Sequence, residues 1–213
     1  MTVRLAVLSF ASLGALMAQA PEPVFFSWHA VEYVAYSAAN RDLTVQLHFR
    51  TTHHFAHFSM LRGSIYGSQQ LPKGWNWNAG YLRQAAEGSI DQEWNRQQRV
   101  FSSLSRPFRH SRLRHTPRFQ YDYLYDMNTP AYGRYRFAWQ TEWTGRVRPY
   151  AGVEEFVENA GVQRFRPRAG VRFQAARYLD TDFVYVYDRI YRRGNTNRHI
   201  LQTTFTFHRS RKD

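Results

Sequence analysis

Arginine is the residue whose number and spacing most clearly suggest a chemistry for this chain. Between positions 112 and 172 every arginine falls on an even number, and so do five of the six acidic residues in that interval. Guanidinium groups bind carboxylates and phosphates through paired, charge-assisted hydrogen bonds. A surface that gathers them can therefore bind anions or cross-link itself through ion pairs. The arginines are Arg112, Arg114, Arg118, Arg134, Arg136, Arg146, Arg148, Arg164, Arg166, Arg168 and Arg172.

Histidines supply the nearest approach to a metal-binding cluster. His53, His54 and His57 lie close together, and His48 precedes them on the same predicted strand. No carboxylate or cysteine is near them in sequence, and aromatic residues interleave with them as in an exposed loop. Since a metal site needs several such ligands at suitable spacing, we expect no metal site and no cofactor.

The spacing of the other reactive residues does not indicate an enzyme. Glu154 and Glu155 are adjacent on a strand and point to opposite faces, so they are not a carboxylate pair for glycoside chemistry. A serine hydrolase resembling the outer-membrane phospholipase needs a serine and a histidine that project toward lipid. His115 lies on the apolar face and Ser102 and Ser103 are present, but no spacing marks a triad. We expect no enzymatic activity, with a lipid-modifying enzyme as an alternative.

Long β-strands must position these residues. From Val162 to Ala175 cationic residues alternate with apolar ones, a period of two that places all the arginines on one face of a strand. At a helical period the same arginines would surround the whole circumference. The odd positions upstream are largely aromatic, so a charged face and an aromatic face alternate over successive strands.

Two kinds of barrel differ in which face of these strands points inward. A soluble periplasmic β-barrel would bury the apolar face and bind an apolar ligand inside, whereas a transmembrane barrel presents aromatics to lipid and charges to the lumen. An export signal, long strands, aromatics near strand ends and almost no candidate helix favour the membrane. We therefore predict a lumen lined by Arg112, Arg114, Arg118, Arg134, Arg136, Arg148, Arg164, Arg166, Arg168, Arg172, Glu142 and Glu154. We predict a lipid-facing set of Phe119, Tyr121, Phe137, Trp139, Phe165, Val171 and Phe173.

Turn signals between the alternating segments divide the chain into eleven candidate strands. Bacterial outer-membrane barrels have an even number of strands, so eleven suggests that one strand is split or missed. The predicted fold class is all-β, an antiparallel up-and-down transmembrane β-barrel of about 10–12 strands. The candidates are Val24–Tyr36, Leu43–His53, Phe58–Gln70, Trp75–Ala85, Glu93–Leu104, Arg112–Tyr125, Tyr132–Trp143, Arg146–Val157, Val162–Ala175, Asp182–Tyr191 and His199–Phe207.

The N-terminal segment has the pattern of a secretory signal. Arg4 precedes an apolar stretch, and Ala18-Gln19-Ala20 has the small-x-small form that signal peptidases accept. We predict a signal peptide over residues 1–20 and a single barrel domain over 21–213. The chain has no cysteine and a net charge of +13. Because the cations are spread over strand after strand rather than gathered in one patch, we expect no nucleic-acid partner.

Several short segments of the chain together form a recognisable pattern. They are Trp28, Leu43–Arg50, Leu61–Tyr66, Trp75–Tyr81, Glu93–Leu104 with Arg99, Arg134–Arg136, Pro149–Phe156, and Gln163–Arg164 leading to Ala169–Val171. With these segments the chain resembles the DUF2490 family, exported bacterial proteins of unknown function placed among outer-membrane barrels. The resemblance implies fold and location but no activity. One departure is the basic tail after Phe207, since barrels of this kind often end on an aromatic residue.

Two functions follow from an arginine-rich lumen. An open lumen would make a narrow anion-attracting pore. A lumen plugged by arginine–carboxylate networks would make a structural barrel, in which Asp122, Glu142 and Glu154 each bridge two arginines and the remaining cations gather at the rims. In either case we expect the outer membrane of a Gram-negative-type bacterium as location. The expected partners are outer-membrane lipid and lipopolysaccharide, the barrel-insertion machinery and an anionic solute.

Overall fold

The computed structural model describes residues 24–52, 57–87, 94–126, 130–159, 161–191 and 196–209, and these form one closed β-barrel. The predicted signal peptide and the histidines at 53 and 54 lie outside the described residues. Among the described residues no helix is long and apolar enough to cross a membrane. The strands are β1 (Val24–Ala38), β2 (Arg41–Thr52), β3 (His57–Gln70), β4 (Asn76–Glu87), β5 (Trp94–Ser105), β6 (Phe108–His110), β7 (Leu113–Asp126), β8 (Tyr132–Trp143), β9 (Val147–Glu158), β10 (Gly161–Ala176), β11 (Leu179–Ile190) and β12 (Thr196–His208), with one short 3₁₀ turn at Pro72–Gly74.

β5 and β6 are two segments of one strand in the barrel wall. Both pair with β7 in the same register, Ser105 opposite Arg118 and Phe108 opposite His115. The strand is interrupted at Pro107, whose ring nitrogen has no proton to donate to the ladder. The barrel therefore has eleven strands, which confirms the all-β, up-and-down fold of about 10–12 strands. The joined β5–β6 strand ends at His110 instead of the predicted Leu104, and no other end of the eleven predicted strands differs from the structure by more than three residues.

The expectation of an even strand number is wrong. With eleven strands that are antiparallel to their neighbours along the chain, the first and last run in the same direction and must close the barrel as a parallel pair. β1 and β12 do so, in a register that runs from Val24 opposite Arg198 to Val34 opposite His208. We call this pair the parallel seam. Its geometry places the start of β1 and the end of β12 at opposite ends of the barrel.

The two ends of the barrel differ in their connections. One end carries the turns at 39–40, 71–75, 111–112, 144–146 and 177–178, and we call it the short-turn rim. The other carries the connections at 53–56, 88–93, 127–131, 159–160 and 191–195, and we call it the long-loop rim. The tight β9–β10 turn depends on Gly161, whose φ of 93° lies in the left-handed region.

Apolar and aromatic side chains cover the outside of the barrel, while charges point inward. Along β2 the exposed residues are Leu43, Val45 and Leu47, whereas Thr44 and His48 at the alternate positions are buried. β11 alternates in the same way between exposed Phe183 and Tyr185 and inward residues. An apolar exterior around a polar interior is the arrangement of transmembrane β-barrels.

A small apolar cluster lines one wall of the lumen near the parallel seam. It consists of Phe26, Tyr150, Val184, Val186 and Ile200, with Trp28 packed against it. Gly170 makes room for the Tyr150 ring, because a Cβ at this glycine would lie 2.9 Å from that ring and 2.6 Å from the carbonyl oxygen of Phe183. The rest of the interior is polar and forms the candidate site.

Candidate functional site

Three buried carboxylates organise the lumen, and each lies within ion-pair distance of three arginines. Asp122 on β7 is fully buried, and its Oδ2 is 2.7 Å from Arg134 and 3.5 Å from both Arg99 and Arg136. These arginines come from β5 and β8, the two neighbours of β7. The carboxylate therefore ties three adjacent strands together from the inside.

Glu154 on β9 repeats this arrangement across a wider span. Its Oε1 accepts hydrogen bonds from Arg118 and Arg136, both at 2.7 Å, and its Oε2 lies 3.5 Å from Arg166. Arg118 belongs to β7, which is not a neighbour of β9, so this ion pair crosses over β8. Since Arg136 contacts both Glu154 and Asp122, the two carboxylate centres form one continuous network.

Glu142 and the acids of β11 form further ion pairs toward the two rims, and Asp188 joins the network through Arg166. Glu142 is 2.5 Å from Arg114, with Arg148 at 3.5 Å and Arg172 at 3.9 Å. On β11, Asp182 accepts a hydrogen bond from Arg172 at 2.9 Å. Asp188 is 3.3 Å from both Arg164 and Arg166. The ion pairs thus connect β5 and β7 through to β11.

The ring of Phe156 lies at the centre of this network. It is buried in the lumen, and four guanidinium carbons, those of Arg134, Arg136, Arg164 and Arg166, lie 4.7–5.3 Å from its centroid. An aromatic face attracts a cation at this distance. The attraction of these cations to the ring therefore offsets part of the repulsion among four positive charges that lie close together.

A cavity of about 580 Å³ lies beside the network. Its polar lining includes neutral amides from β2, β4 and β5, such as Gln46, Gln84 and Gln97. Nine arginines line it: Arg50, Arg62, Arg99, Arg118, Arg134, Arg136, Arg164, Arg166 and Arg198. Glu32 and Asp188 also line the cavity, and Asp122 and Glu154 pair with its arginines. Nine cations against these four carboxylates leave a surplus of five positive charges.

Two of the nine arginines stand apart from the ion pairs. Among the described residues no carboxylate lies within 4.0 Å of the guanidinium of Arg50 or Arg62. Arg62 instead donates to the Nδ1 atom of buried His48, while its Nε atom has no hydrogen-bond partner. Arg50 donates to Ser59 at 3.1 Å and lies 5.2 Å from the Phe26 ring centroid. A buried guanidinium without a counter-charge is costly, so an anion in the cavity would stabilise both side chains.

The structure brings eleven of the twelve predicted lumen residues to the interior. Arg112 is the exception: it is exposed in the β6–β7 turn, because the strand begins only at Leu113. Of the rest, Arg168 donates to Gln140 at 3.1 Å instead of to a carboxylate. The remaining interior residues are Arg114, Arg118, Arg134, Arg136, Arg148, Arg164, Arg166, Arg172, Glu142 and Glu154.

Several charged residues that line the cavity or form ion pairs inside the barrel were not in the predicted lumen-lining set, and Asp122 and Glu32 are two of them. Arg62 and Arg198 lie on strands with few charges, and Arg99 faces inward from an odd position because β5 has the opposite parity. Asp182, Asp188, Arg50, Arg62 and Arg198 all share the even parity of the predicted set. Extending the alternation to β2, β3, β11 and β12 would therefore have found these five residues.

The predicted lipid-facing residues lie on the outer surface. Phe119, Tyr121, Phe137 and Trp139 are exposed. Phe165, Val171 and Phe173 are half-buried on the same face, and Val171 is paired with exposed Phe183. A soluble barrel with an apolar ligand inside requires this face to point inward, so that alternative is wrong.

A second cavity, of about 620 Å³, lies on the outer surface at the parallel seam. Exposed Phe49, Tyr185 and Leu201 line it, and its polar groups include Ser27 and His29. The Nε2 atom of His29 is 3.1 Å from the Oγ atom of Ser27, which in turn is 2.6 Å from the Oγ1 atom of Thr51. No spacing in the sequence indicated this pair.

The remaining predicted histidines do not converge. His48 is inside the barrel beside Arg62, whereas His57 is at the long-loop rim, 2.5 Å from Glu87. Glu155, the lone acid on the apolar face, is exposed on the outside, three residues before the end of β9.

Comparison with known proteins returns similarities of fold. No protein-family model and no curated protein matches the chain. The beta domain of the Bordetella autotransporter Brka is similar at 13% identity and a TM-score of 0.49, covering 72% of this chain and 78% of that one. An outer membrane protein of Vibrio cholerae, OmpT with loop L8 deleted, is similar at 12% identity and a TM-score of 0.41. That match covers 76% of this chain and 58% of the other.

Proposed function

We propose that this chain is an outer-membrane β-barrel whose lumen is closed by an arginine–carboxylate network and binds small anions. The barrel's apolar exterior supports a membrane location, because exposing so many aromatic side chains to water is unfavourable. The export signal predicted at residues 1–20 favours the outer membrane of a Gram-negative-type bacterium. The resemblance to the DUF2490 family and the need for barrel-insertion machinery remain predictions.

Closure of the lumen is supported by the ion pairs that span it. Asp122, Glu142 and Glu154 each lie within ion-pair distance of three arginines, one more than the two expected for a plugged barrel. The expectation that the remaining cations gather at the rims is wrong for Arg50 and Arg62, which line the cavity. Eleven strands make a barrel between those filled by side chains and those with an aqueous channel, so long side chains can close it. Purified protein in planar bilayers is expected to show no stable conductance. An anion-selective current that weakens in Arg136→Glu would establish a pore instead.

The observation that carries the anion-binding proposal is the cavity in which Arg50 and Arg62 lack a carboxylate. Calorimetric titration of inorganic phosphate into the detergent-solubilised barrel tests it. We expect saturable binding that Arg62→Gln weakens by about tenfold or more, since a charged hydrogen bond contributes roughly 1.5–3 kcal/mol. Arg96→Gln removes an exposed cation from the outer face of β5 and serves as the control. Equal binding by the wild type and both variants would overturn the proposal.

A second candidate function, lipid ester hydrolysis, is favoured by the Ser27–His29 hydrogen bond on the outer surface. A nucleophilic serine needs a histidine base, and that base is normally oriented by a third polar group. Here the His29 ring is tilted by 34° against the Phe49 ring, with the centroids 5.0 Å apart, and among the described residues no carboxylate is hydrogen-bonded to His29. Release of fatty acid from phospholipid vesicles that is lost in Ser27→Ala would establish the enzyme. No release by the wild type would exclude it.

A further inference from the structure

The part of the cavity lined by β3, β4 and β5 differs in chemistry from the rest of the lumen. Among the described residues that line the cavity from these strands, none is acidic. They comprise two arginines, three amides, two serines, two aromatic residues, a leucine and a methionine. The carboxylates Asp122, Glu154 and Asp188 belong instead to β7, β9 and β11. We call the surface formed by β3, β4 and β5 the amide wall.

Strand register places the side chains of the amide wall side by side. Four consecutive inward rows cross the three strands, about 7 Å apart along a strand and about 5 Å apart between strands. One small ligand can therefore contact several rows at once. The rows are Arg62 with Gln84 and Gln97, Ser64 with Leu82 and Arg99, Tyr66 with Gly80 and Phe101, and Ser68 with Asn78 and Ser103.

Several polar groups of the amide wall are available to a ligand. The side chains of Asn78 and Ser103 make no hydrogen bond to any other described residue. Gln84 donates to the side-chain oxygen of Gln97 at 3.1 Å, which leaves its own oxygen and the Gln97 nitrogen available. Amide and hydroxyl groups supply both donors and acceptors, and the hydroxyl groups of a sugar require both.

Two aromatic rings give the amide wall an apolar part. Tyr66 and Phe101 both line the cavity, with their centroids 6.4 Å apart and their planes inclined at 53°. The C–H groups on one face of a sugar ring are apolar and slightly positive, so they pack on the negative face of an aromatic ring. Rings beside amides and hydroxyls therefore suit a sugar better than a bare inorganic anion.

The first two rows carry the positive charge of the amide wall. Within the described part of the chain, Arg62 has no carboxylate within 4.0 Å, and Arg99 shares Asp122, at 3.5 Å, with two other arginines. Arg62 and Arg99 also repel each other. Glu32 on β1 faces the cavity too, but Gln46 and Thr206 donate to its carboxylate at 2.6 and 2.9 Å. An anionic group near the two arginines would relieve their repulsion.

We propose that the cavity binds an anionic sugar, with its phosphate or carboxylate group at Arg62 and Arg99 and its ring along the aromatic and polar rows beyond them. This ligand class rests on the anion binding proposed for the same cavity. The cavity volume of about 580 Å³ is within the range of small-molecule sites.

Calorimetric titration of the full chain, in a detergent without a sugar headgroup, tests the ligand class. Glucose 6-phosphate is compared with inorganic phosphate, and glucuronate with acetate, so that each pair differs mainly by the sugar ring. We expect at least one sugar anion to bind about tenfold more tightly than its bare counterpart, because the ring adds several hydrogen bonds. The pair that shows the gain identifies the anionic group.

Asn78→Ala/Ser103→Ala removes two register partners of the amide wall without breaking a hydrogen bond, so the barrel should fold normally. We expect it to weaken binding of the sugar anion by about tenfold and to leave the bare anion unaffected, since each neutral hydrogen bond contributes roughly twofold to tenfold. Ser102→Ala removes a hydroxyl group from the outer face of β5 and should bind both ligands as the wild type does.

Two results would overturn the sugar site and leave the anion site intact. One is equal affinity for the sugar anion and the bare anion in both pairs. The other is an equal effect of Asn78→Ala/Ser103→Ala on both members of a pair. The anion site fails separately if no anion binds, or if Arg62→Gln binds every anion as tightly as the wild type.

Discussion

Glu154 and Glu155 are neighbours in sequence, but the barrel wall separates their environments. The carboxylate of Glu154 is 3% exposed and contacts Arg118, Arg136 and Arg166. Glu155 is exposed on the outer surface. Replacing each in turn by glutamine changes charge and volume identically, so the pair separates the effect of the network from that of charge alone.

Glu154→Gln is expected to destabilise the barrel by about 3–5 kcal/mol, because it leaves three buried guanidinium groups without their shared carboxylate. Glu155→Gln should change stability little, since its carboxylate is exposed. Urea unfolding in lipid vesicles, followed by tryptophan fluorescence, measures both. A similar cost for the two variants would mean that the buried ion pairs do not hold the lumen together.

At the scale of a strand, β10 shows the alternation most completely. Arg164, Arg166 and Arg172 reach carboxylates inside the barrel, while Val171 and Phe173 lie on the outer face. Because the side chains of a strand alternate in direction, the position chosen for a substitution decides whether the new side chain faces the lipid or the lumen.

Val171→Arg is expected to hinder insertion into vesicles, at a cost of up to about 2–4 kcal/mol near the bilayer midplane. Arg172→Lys, one residue away, keeps its charge inside and should insert normally. The fraction of folded protein is read from heat-modifiable migration on a gel. Normal folding of Val171→Arg would contradict a lipid-facing position for this residue.

The parallel seam is the element that the sequence predicted least well. Alternation located β1 and β12 as strands, but it does not specify which strands pair across the closure or in what direction. The general rule of even strand numbers led to the wrong expectation. The parallel direction of β1 and β12 follows instead from the count of eleven strands. The register from Val24 to Val34 is set only when the two strands meet in the closed barrel.

Cross-linking tests the seam directly, since the chain has no native cysteine. Val31 and Phe205 are register partners on the outer face, so Val31→Cys/Phe205→Cys should form a disulfide under mild oxidation. Leu201 is also on that face but is paired with Ser27, so Val31→Cys/Leu201→Cys should not. The reverse result would show that β1 and β12 are not paired in this parallel register.

The lumen illustrates what sequence can and cannot locate. The even numbering of Arg118, Arg134 and Arg136 placed them on one face, because alternation is a local property of each strand. It did not show that Asp122 would gather arginines from both neighbouring strands, since that depends on register between strands. It also placed Arg112 in the lumen, because the parity rule ignores where a strand ends and a turn begins.

For the molecule as a whole, the electrostatic pattern has two levels. Inside, nine cavity arginines exceed the carboxylates that neutralise them, and this surplus supports anion binding. Outside, the exposed cations of the described residues lie mainly at the short-turn rim. Both levels depend on one property, namely that the barrel has its polar side inside and its apolar side outside.

Nitroxide scanning of β10 measures that property most directly. Single cysteines at positions 168 to 173 are spin-labelled in vesicles, and their collision rates with lipid-soluble oxygen and a water-soluble nickel chelate are compared. We expect oxygen access to peak at 169, 171 and 173 and to fall at 168, 170 and 172. High oxygen access at the even positions, or no period of two, would contradict an inside-out barrel.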